Sequence, residues 1–258
     1  MKLTERRLMK KRDSIKKNFR SVATAFGLLS SLSFAYPVIA QNAVSSTYSG
    51  RIGFAPPPDD AAPNQTRGGA TRGRCQATSL MPRSGSGLTM SDRASIFVYV
   101  SKHPEAKLNK AILTLKEDAN ASEQYDAVID LPEEALSQPG GVLEVKFPES
   151  MPALEVGKNY SWSLIMICDD LPIRPDSPVV GGGIKRVAPS SEIALSEELS
   201  ATEQAIAYGE GGLWYDLLAT LASEQSEAPE YAQLNEAWRK ILTEAGISEE
   251  ISESAFIN

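Results

Sequence analysis

Between Ser95 and Val187 the chain alternates apolar and polar positions with a period of two, the pattern of half-buried strands. Ile96-Phe97-Val98-Tyr99-Val100 is apolar on both faces and predicts a central strand. Ala111, Leu113 and Leu115 share one side of the next segment. Tyr125, Ala127, Ile129 and Leu131 then face inward while Asp126 and Asp130 face out. Leu143, Val145 and Phe147 alternate with Glu144 and Lys146, and Tyr160, Trp162, Leu164, Met166 and Cys168 line one face of a longer strand. Pro139-Gly140-Gly141 and the stretch from Pro152 to Gly157 supply the turns between them. Strands at this spacing predict a β-sandwich.

After Pro189 the period changes to 3.6. Ser200-x-x-Glu203 is a capping box ahead of Ala205, Ile206 and Tyr208, and Gly211-Gly212 breaks the chain. Leu213, Trp214, Leu217, Leu218 and Leu221 form a second apolar face. A last helix starts near Pro229, buries Tyr231, Leu234, Trp238 and Ile241, and stops at Gly246. Trp214, Leu217 and Leu221 resemble the first helix of a tetratricopeptide repeat, but one such unit cannot bury its own face, so stacking on the sandwich is expected instead. The fold class expected is α+β, an immunoglobulin-like antiparallel β-sandwich over residues 76–188 followed by a C-terminal helical hairpin region over residues 189–258. Leu154-x-x-Gly157-x-x-Tyr160-x-Trp162 resembles the corner leading into a late strand of such sandwiches. Trp214, Tyr215 and Trp238 are the candidate interaction residues, should the helical region meet a partner rather than the sheets.

The first forty residues differ from everything that follows. Nine basic residues lie between Lys2 and Arg20, against Glu5 and Asp13. An apolar run from Val22 to Ala35 and a Val38-Ile39-Ala40 step complete the pattern of a secretory signal peptide over residues 1–40. The apolar core is about fourteen residues, short of the roughly 20 that a spanning helix needs. No later segment is apolar enough to span a bilayer, so no membrane span is expected after cleavage. Residues 41–75 hold Ala55-Pro56-Pro57-Pro58 and Arg67-Gly68-Gly69-Ala70-Thr71-Arg72-Gly73-Arg74 and read as a flexible arm. Removing the signal leaves seventeen basic and thirty-one acidic side chains, a formal charge of −14. That sign excludes nucleic acid as an expected partner. Two cysteines, Cys75 and Cys168, suit an oxidising compartment and are expected to pair; the alternative is two inert buried thiols.

Reactive constellations are scarce. His103, the single histidine, lies between Lys102 and Pro104 in a turn, without the orienting acid that a Ser-His-Asp or Cys-His site needs. Gly85-Ser86-Gly87 lacks the spacing of a nucleophile elbow. Asp169-Asp170 with Asp176 could hold Ca2+, although such loops are more often simply solvated. No catalytic, cofactor-binding or metal-ligating residue is assigned.

Several segments taken together resemble one family, the secreted cyanobacterial proteins called domain of unknown function 928. They are Gly53-Phe54-Ala55-Pro56-Pro57, Arg67 to Gly73 with Cys75, Phe97-Val98-Tyr99-Val100, Tyr160-Ser161-Trp162 through Cys168-Asp169, Lys185-Arg186-Val187 and Gly212-Leu213-Trp214-Tyr215-Asp216. The resemblance implies a cyanobacterial source and export, and brings no activity and no site residues. The expected function is that of a non-enzymatic exported cell-envelope protein, in the periplasm or at the cell surface, working through another envelope protein. A polysaccharide- or Ca2+-binding module is the alternative, and a hydrolase using a carboxylate pair the second. The signal pattern predicts a mature form that begins near Gln41 in the periplasm or medium. Amino-terminal sequencing checks this, and an intact Met1 recovered from the cytosol contradicts it.

Overall fold

The computed structural model describes residues 51–57, 74–118, 123–133, 137–169, 173, 177–189, 199–225 and 231–257. The alternating segments form strands. β1 is Cys75–Ser79, β2 Ser86–Thr89, β3 Ser95–Lys102, β4 Leu108–Glu117 and β5 Gln124–Asp130. β6 is Gly140–Lys146, β7 Asn159–Cys168 and β8 Val179–Arg186. Four helices follow: α1 Ala201–Glu210, α2 Trp214–Ser223, α3 Ala232–Glu244 and α4 Glu249–Ser252, and then a two-residue strand, β9, Phe256–Ile257.

The strands divide into a four-stranded sheet of order β1-β3-β6-β9 and a five-stranded sheet of order β2-β8-β7-β4-β5. The expected α+β sandwich is what forms. Its interior pairings are antiparallel, but each sheet ends on a parallel pair, β2 beside β8 and β6 beside β9. β2 and β9 are each far in sequence from the strand they pair with, so neither pairing is constrained to the antiparallel sense by a tight turn. The expectation of a purely antiparallel sandwich is corrected to this extent.

Burial follows the predicted alternation where two sheets face each other. Ala111, Leu113, Leu115, Leu164 and Met166 are fully buried, as are Ile96 and Val98 of the other sheet. On β5, the edge strand of the wider sheet, the inward set is less covered: Ala127, Ile129 and Leu131 are half-buried and Tyr125 is exposed. The second face of the four-stranded sheet carries Phe97, packed edge-on against Trp238 of α3 at 5.8 Å and against Phe256 of β9 at 6.4 Å. One apolar core therefore includes both sheets and the helices. The boundary expected near residue 189 does not separate two cores, and the chain's last strand returns to the first sheet.

Local signals set the helix ends. Ser200 and Glu203 form the capping box of α1. At the end of α3, Gly246 has a φ of 82°, its amide donates to Thr243, and the Ile247 amide donates to Leu242. That is a Schellman closure, with Ile247 covering the helix end. The predicted start at Pro229 lies outside the described residues, as do residues 1–50 and 58–73 of the signal and arm. Of the supposed arm, residues 51–57 lie against the rest of the chain at some positions: Ile52 is buried, and Phe54 meets Trp214 edge-on at 4.8 Å, while Arg51, Ala55 and Pro56 are exposed.

Cys75 and Cys168 are disulfide-bonded and join β1 of one sheet to the end of β7 of the other. Their separation of 93 residues closes a large loop, for which chain entropy puts the stabilisation at roughly 4–5 kcal/mol and real bridges usually deliver about 2–4. Reduction, or the pair Cys75→Ser and Cys168→Ser, should lower unfolding free energy by about that amount in denaturant titration. An unchanged midpoint would contradict a clamping role for the bond.

Candidate functional site

Helix α2 begins with the segment Leu213-Trp214-Tyr215-Asp216, and three of its side chains reach into the sandwich. The Trp214 indole Nε1 donates to the Leu80 carbonyl at 3.0 Å. The Tyr215 hydroxyl donates to the Gly183 carbonyl of β8 at 2.7 Å and accepts from Trp162 Nε1 of β7 at 2.8 Å. All three aromatic rings are buried, so each polar atom needs a partner inside the protein and has one. Sequence makes room for this approach. A Cβ on Gly87 of β2 would fall 2.6 Å from Trp214 Cβ, so only glycine lets α2 lie so close to that strand. Gly182 gives the same clearance to Trp162 and Met81.

Asp216 extends the arrangement to the loop after β2. Its Oδ2 accepts the Met90 amide at 3.1 Å, and Thr89 and Ser91 also donate to the carboxylate. Withdrawal from water pushes its pKa above the ordinary aspartate value, against the opposing pull of these donors. Arg186 holds the same loop from β8, its Nε donating to Met90 and its Nη1 to Leu154.

The candidate interaction residues Trp214, Tyr215 and Trp238 are therefore interior residues of this chain, exposed by no more than 2 % each. They are not available on its surface, because α2 and α3 use them against the chain's own sheets. Trp238 Nε1 is buried without a hydrogen-bond partner among the described residues. Of the three aspartates considered for Ca2+, Asp169 is within the described residues. Asp169 accepts the Lys107 amide with Oδ1 at 3.0 Å and pairs with Arg74 through Oδ2 at 3.0 Å, so its carboxylate is spent on the loop beside the disulfide. Asp170 and Asp176 lie outside the described residues. His103 is exposed in the β3–β4 turn, where its Nδ1 accepts only the Glu105 amide.

The feature that sequence reading missed is on the outer face of the five-stranded sheet. Register places Val128, Ile112, Ile165 and Val179 side by side across β5, β4, β7 and β8. Val128 is 62 % exposed and Val179 43 %, and Ile173 beside them is 44 % exposed. The next row is Asp126, Thr114, Ser163 and Gly181. Asp126 accepts from the Thr114 hydroxyl at 2.6 Å and from the Gln124 amide, and these bonds hold its carboxyl below the usual range. A shallow hollow of about 350 Å³ opens there, lined by Ile112, Ile165, Ile173 and Asp126 among others. The signal in the sequence was Ile112, Ile165 and Val128 at outward positions, visible only once the strands are set in register.

A buried helix-to-sandwich lock, a disulfide joining the sheets and an aliphatic outer face define a disulfide-stapled sandwich protein with an integrated helical cap. The chain belongs to the family described as Domain of Unknown Function (DUF928), whose profile matches residues 62–256. Gly53 to Pro57, read above as part of that resemblance, precedes the matched region. No curated protein matches the chain.

The raised pKa of Asp216 sets a pH dependence. Below the ordinary aspartate pKa of 3.8 the group is protonated in both folded and unfolded chains. As pH rises from there through its higher folded value, the unfolded chain releases the proton first, so stability falls, by up to about 1.4 kcal/mol per pH unit within that window. Asp216→Asn should remove this component from a melting-temperature profile begun near pH 4. Superimposable profiles for the two proteins would contradict the assignment.

Proposed function

We propose that this chain is an exported cell-envelope protein that acts by binding another protein and not by catalysis. The observation that carries the reading is the apolar row Val128, Ile112, Ile165 and Val179 on the outer face of the five-stranded sheet, exposed at Val128 and Val179 and half-buried at Ile112 and Ile165. An apolar stripe four strands wide is costly to leave in water, and its burial against a partner is favourable. The stripe is made of valine and isoleucine, which have no ring face to stack on a sugar, so a protein surface suits it better than a polysaccharide. In the flanking row Thr114, Ser163 and Gly181 are small, which suits the close approach of a second surface, and Asp126 at its β5 end puts a carboxylate at the rim. Export, the signal over residues 1–40 and the cyanobacterial source implied by the family resemblance are parts of the same proposal, and the acidic mature charge accords with it.

A photo-crosslinking residue at Val128 in the intact producing cell tests it. The expected result is a covalent adduct with one protein of defined mass, lost when Val179→Asp is added. Because Val179 is a surface position, that change should move stability by no more than about 0.5 kcal/mol. Absence of any protein adduct, in a chain shown to be exported and folded, would overturn the reading.

A further inference from the structure

β5 ends the five-stranded sheet, and its far edge is paired with no other strand among the described residues. The Leu131 amide donates to the Asn109 carbonyl of β4 at 2.9 Å. Bonded residues alternate along an antiparallel ladder, so Tyr125, Ala127 and Ile129 also turn their main-chain groups to β4. Gln124, Asp126, Val128 and Asp130 therefore turn their N–H and C=O groups to the open side. Sheet edges are commonly closed by shortness, proline, a bulge or charge. β2 has four residues, β9 two and β1 five, the last tied to β7 by its disulfide. β5 has seven, contains no proline and keeps unbroken register with β4. What it carries is charge of one sign. Asp126 and Asp130 lie on its outward row and Glu123 and Glu133 beyond its ends, all exposed, and no basic residue occurs from Glu117 to Val145. Lys110 of β4 meets Asp130 at 2.8 Å, whereas Asp126 has hydrogen bonds but no ion pair among the described residues. Two copies joined through this edge would set both strands' aspartates on one face, where like charges destabilise the pairing. The same charges attract a basic strand. The inward row is also incomplete here: Ala127 and Ile129 are half-buried and Tyr125 is exposed, so the apolar side chains of an added strand would cover them.

We propose that β5 is a strand-addition site, at which the partner protein supplies an extended basic segment that bonds to the main chain of Gln124, Asp126, Val128 and Asp130 and lengthens the sheet. Cross-strand neighbours set the chemistry of that segment. Its outer-face residues are Lys or Arg beside Asp126 and Asp130 and aliphatic beside Val128, and its inward residues are apolar beside Tyr125, Ala127 and Ile129. The inference rests on the outer face being the protein-binding surface proposed above, and specifies the form in which the partner meets it.

A photo-crosslinking residue at Val179, on the same face and three strands from β5, reports the partner in the intact producing cell. Val128→Pro removes an N–H on the open side, where an edge strand tolerates proline, and Val128→Ala trims the side chain while keeping that N–H. The proline variant should give about tenfold less adduct than the alanine variant, the effect of a lost main-chain bond that leaves the partner's carbonyl unpaired. Asp126→Lys with Asp130→Lys sets like charges against the basic segment and should also cut the adduct about tenfold. Should the proline variant lose its cooperative melt, the charge reversal decides, together with a photo-crosslinking residue at Gln124, whose captured partner peptide should contain Lys or Arg alternating with apolar residues. An adduct at Val179 that survives these changes to β5, or a peptide captured at Gln124 without basic residues, overturns strand addition and leaves the outer face as the binding surface. No adduct at Val179 in the otherwise unaltered chain overturns both.

Discussion

The hydroxyl of Tyr215 is the point on which this structure turns. Inside a dry core, a phenol oxygen, an indole N–H and a carbonyl each cost about 1–3 kcal/mol if left unpaired. Here the Trp162 N–H donates to Tyr215, and Tyr215 donates to Gly183, so the three are satisfied only together. Trp162 and Gly183 belong to neighbouring strands of one sheet, and Tyr215 to a helix 53 residues later in the chain than Trp162. The sheet interior is thus completed by the helix. Trp214 adds the Leu80 carbonyl and Asp216 the amides after β2, so three consecutive residues fasten α2 to three places.

That constraint explains where small residues fall. β8 contains Gly181-Gly182-Gly183, a sequence that by propensity makes a poor strand. It holds because Gly182 lies under the Trp162 ring and Gly183 presents its carbonyl to Tyr215. Gly87 gives way to the Trp214 and Tyr215 side chains in the same manner. Chemistry-bearing side chains are consumed by the architecture as well. Asp169, Arg74, Arg93 and Arg186 fix loops around the disulfide and the strand ends, with Arg93 Nη1 bonded to the Pro148 and Met151 carbonyls. Val128, Val179 and Ile173 are left exposed on and beside the outer face of the wider sheet.

Much of this was legible in the chain, for reasons that differ by element. β4, β6 and β7 alternate because one face meets the opposite sheet, α1 to α3 carry a 3.6-residue apolar period, and α1 has a capping box and α3 a glycine closure at its end. β1, β2, β8 and β9 do not stand out as strands: β1 is five residues long, β2 four, β9 two, and β8 is glycine-rich, so each owes its form to tertiary contact rather than to propensity. Ile52 and Phe54 were hidden by the surrounding proline and glycine, which suggested an arm with nothing to bind. Trp214 and Trp238 stand on the apolar faces that the period marks, whereas Tyr215 lies off that period and its burial is not legible from it. Which surface they would bury against depended on glycines that no periodicity reveals. The apolar outer row on β5, β4, β7 and β8 depends on strand register, and a single sequence shows a strand's two faces without showing its neighbours.

If Tyr215 unites helix and sheets, they must open as one unit. Native-state hydrogen exchange of the full chain measures this directly, residue by residue. The account predicts that the slowest amides of α2, such as those of Leu217 and Leu218, exchange with the same opening free energy as those of β7 and β8 around Trp162 and Gly183. Amides of α2 that exchange at a distinctly lower free energy, while β7 and β8 stay protected, would show a sandwich that stands without its helix and would contradict the account.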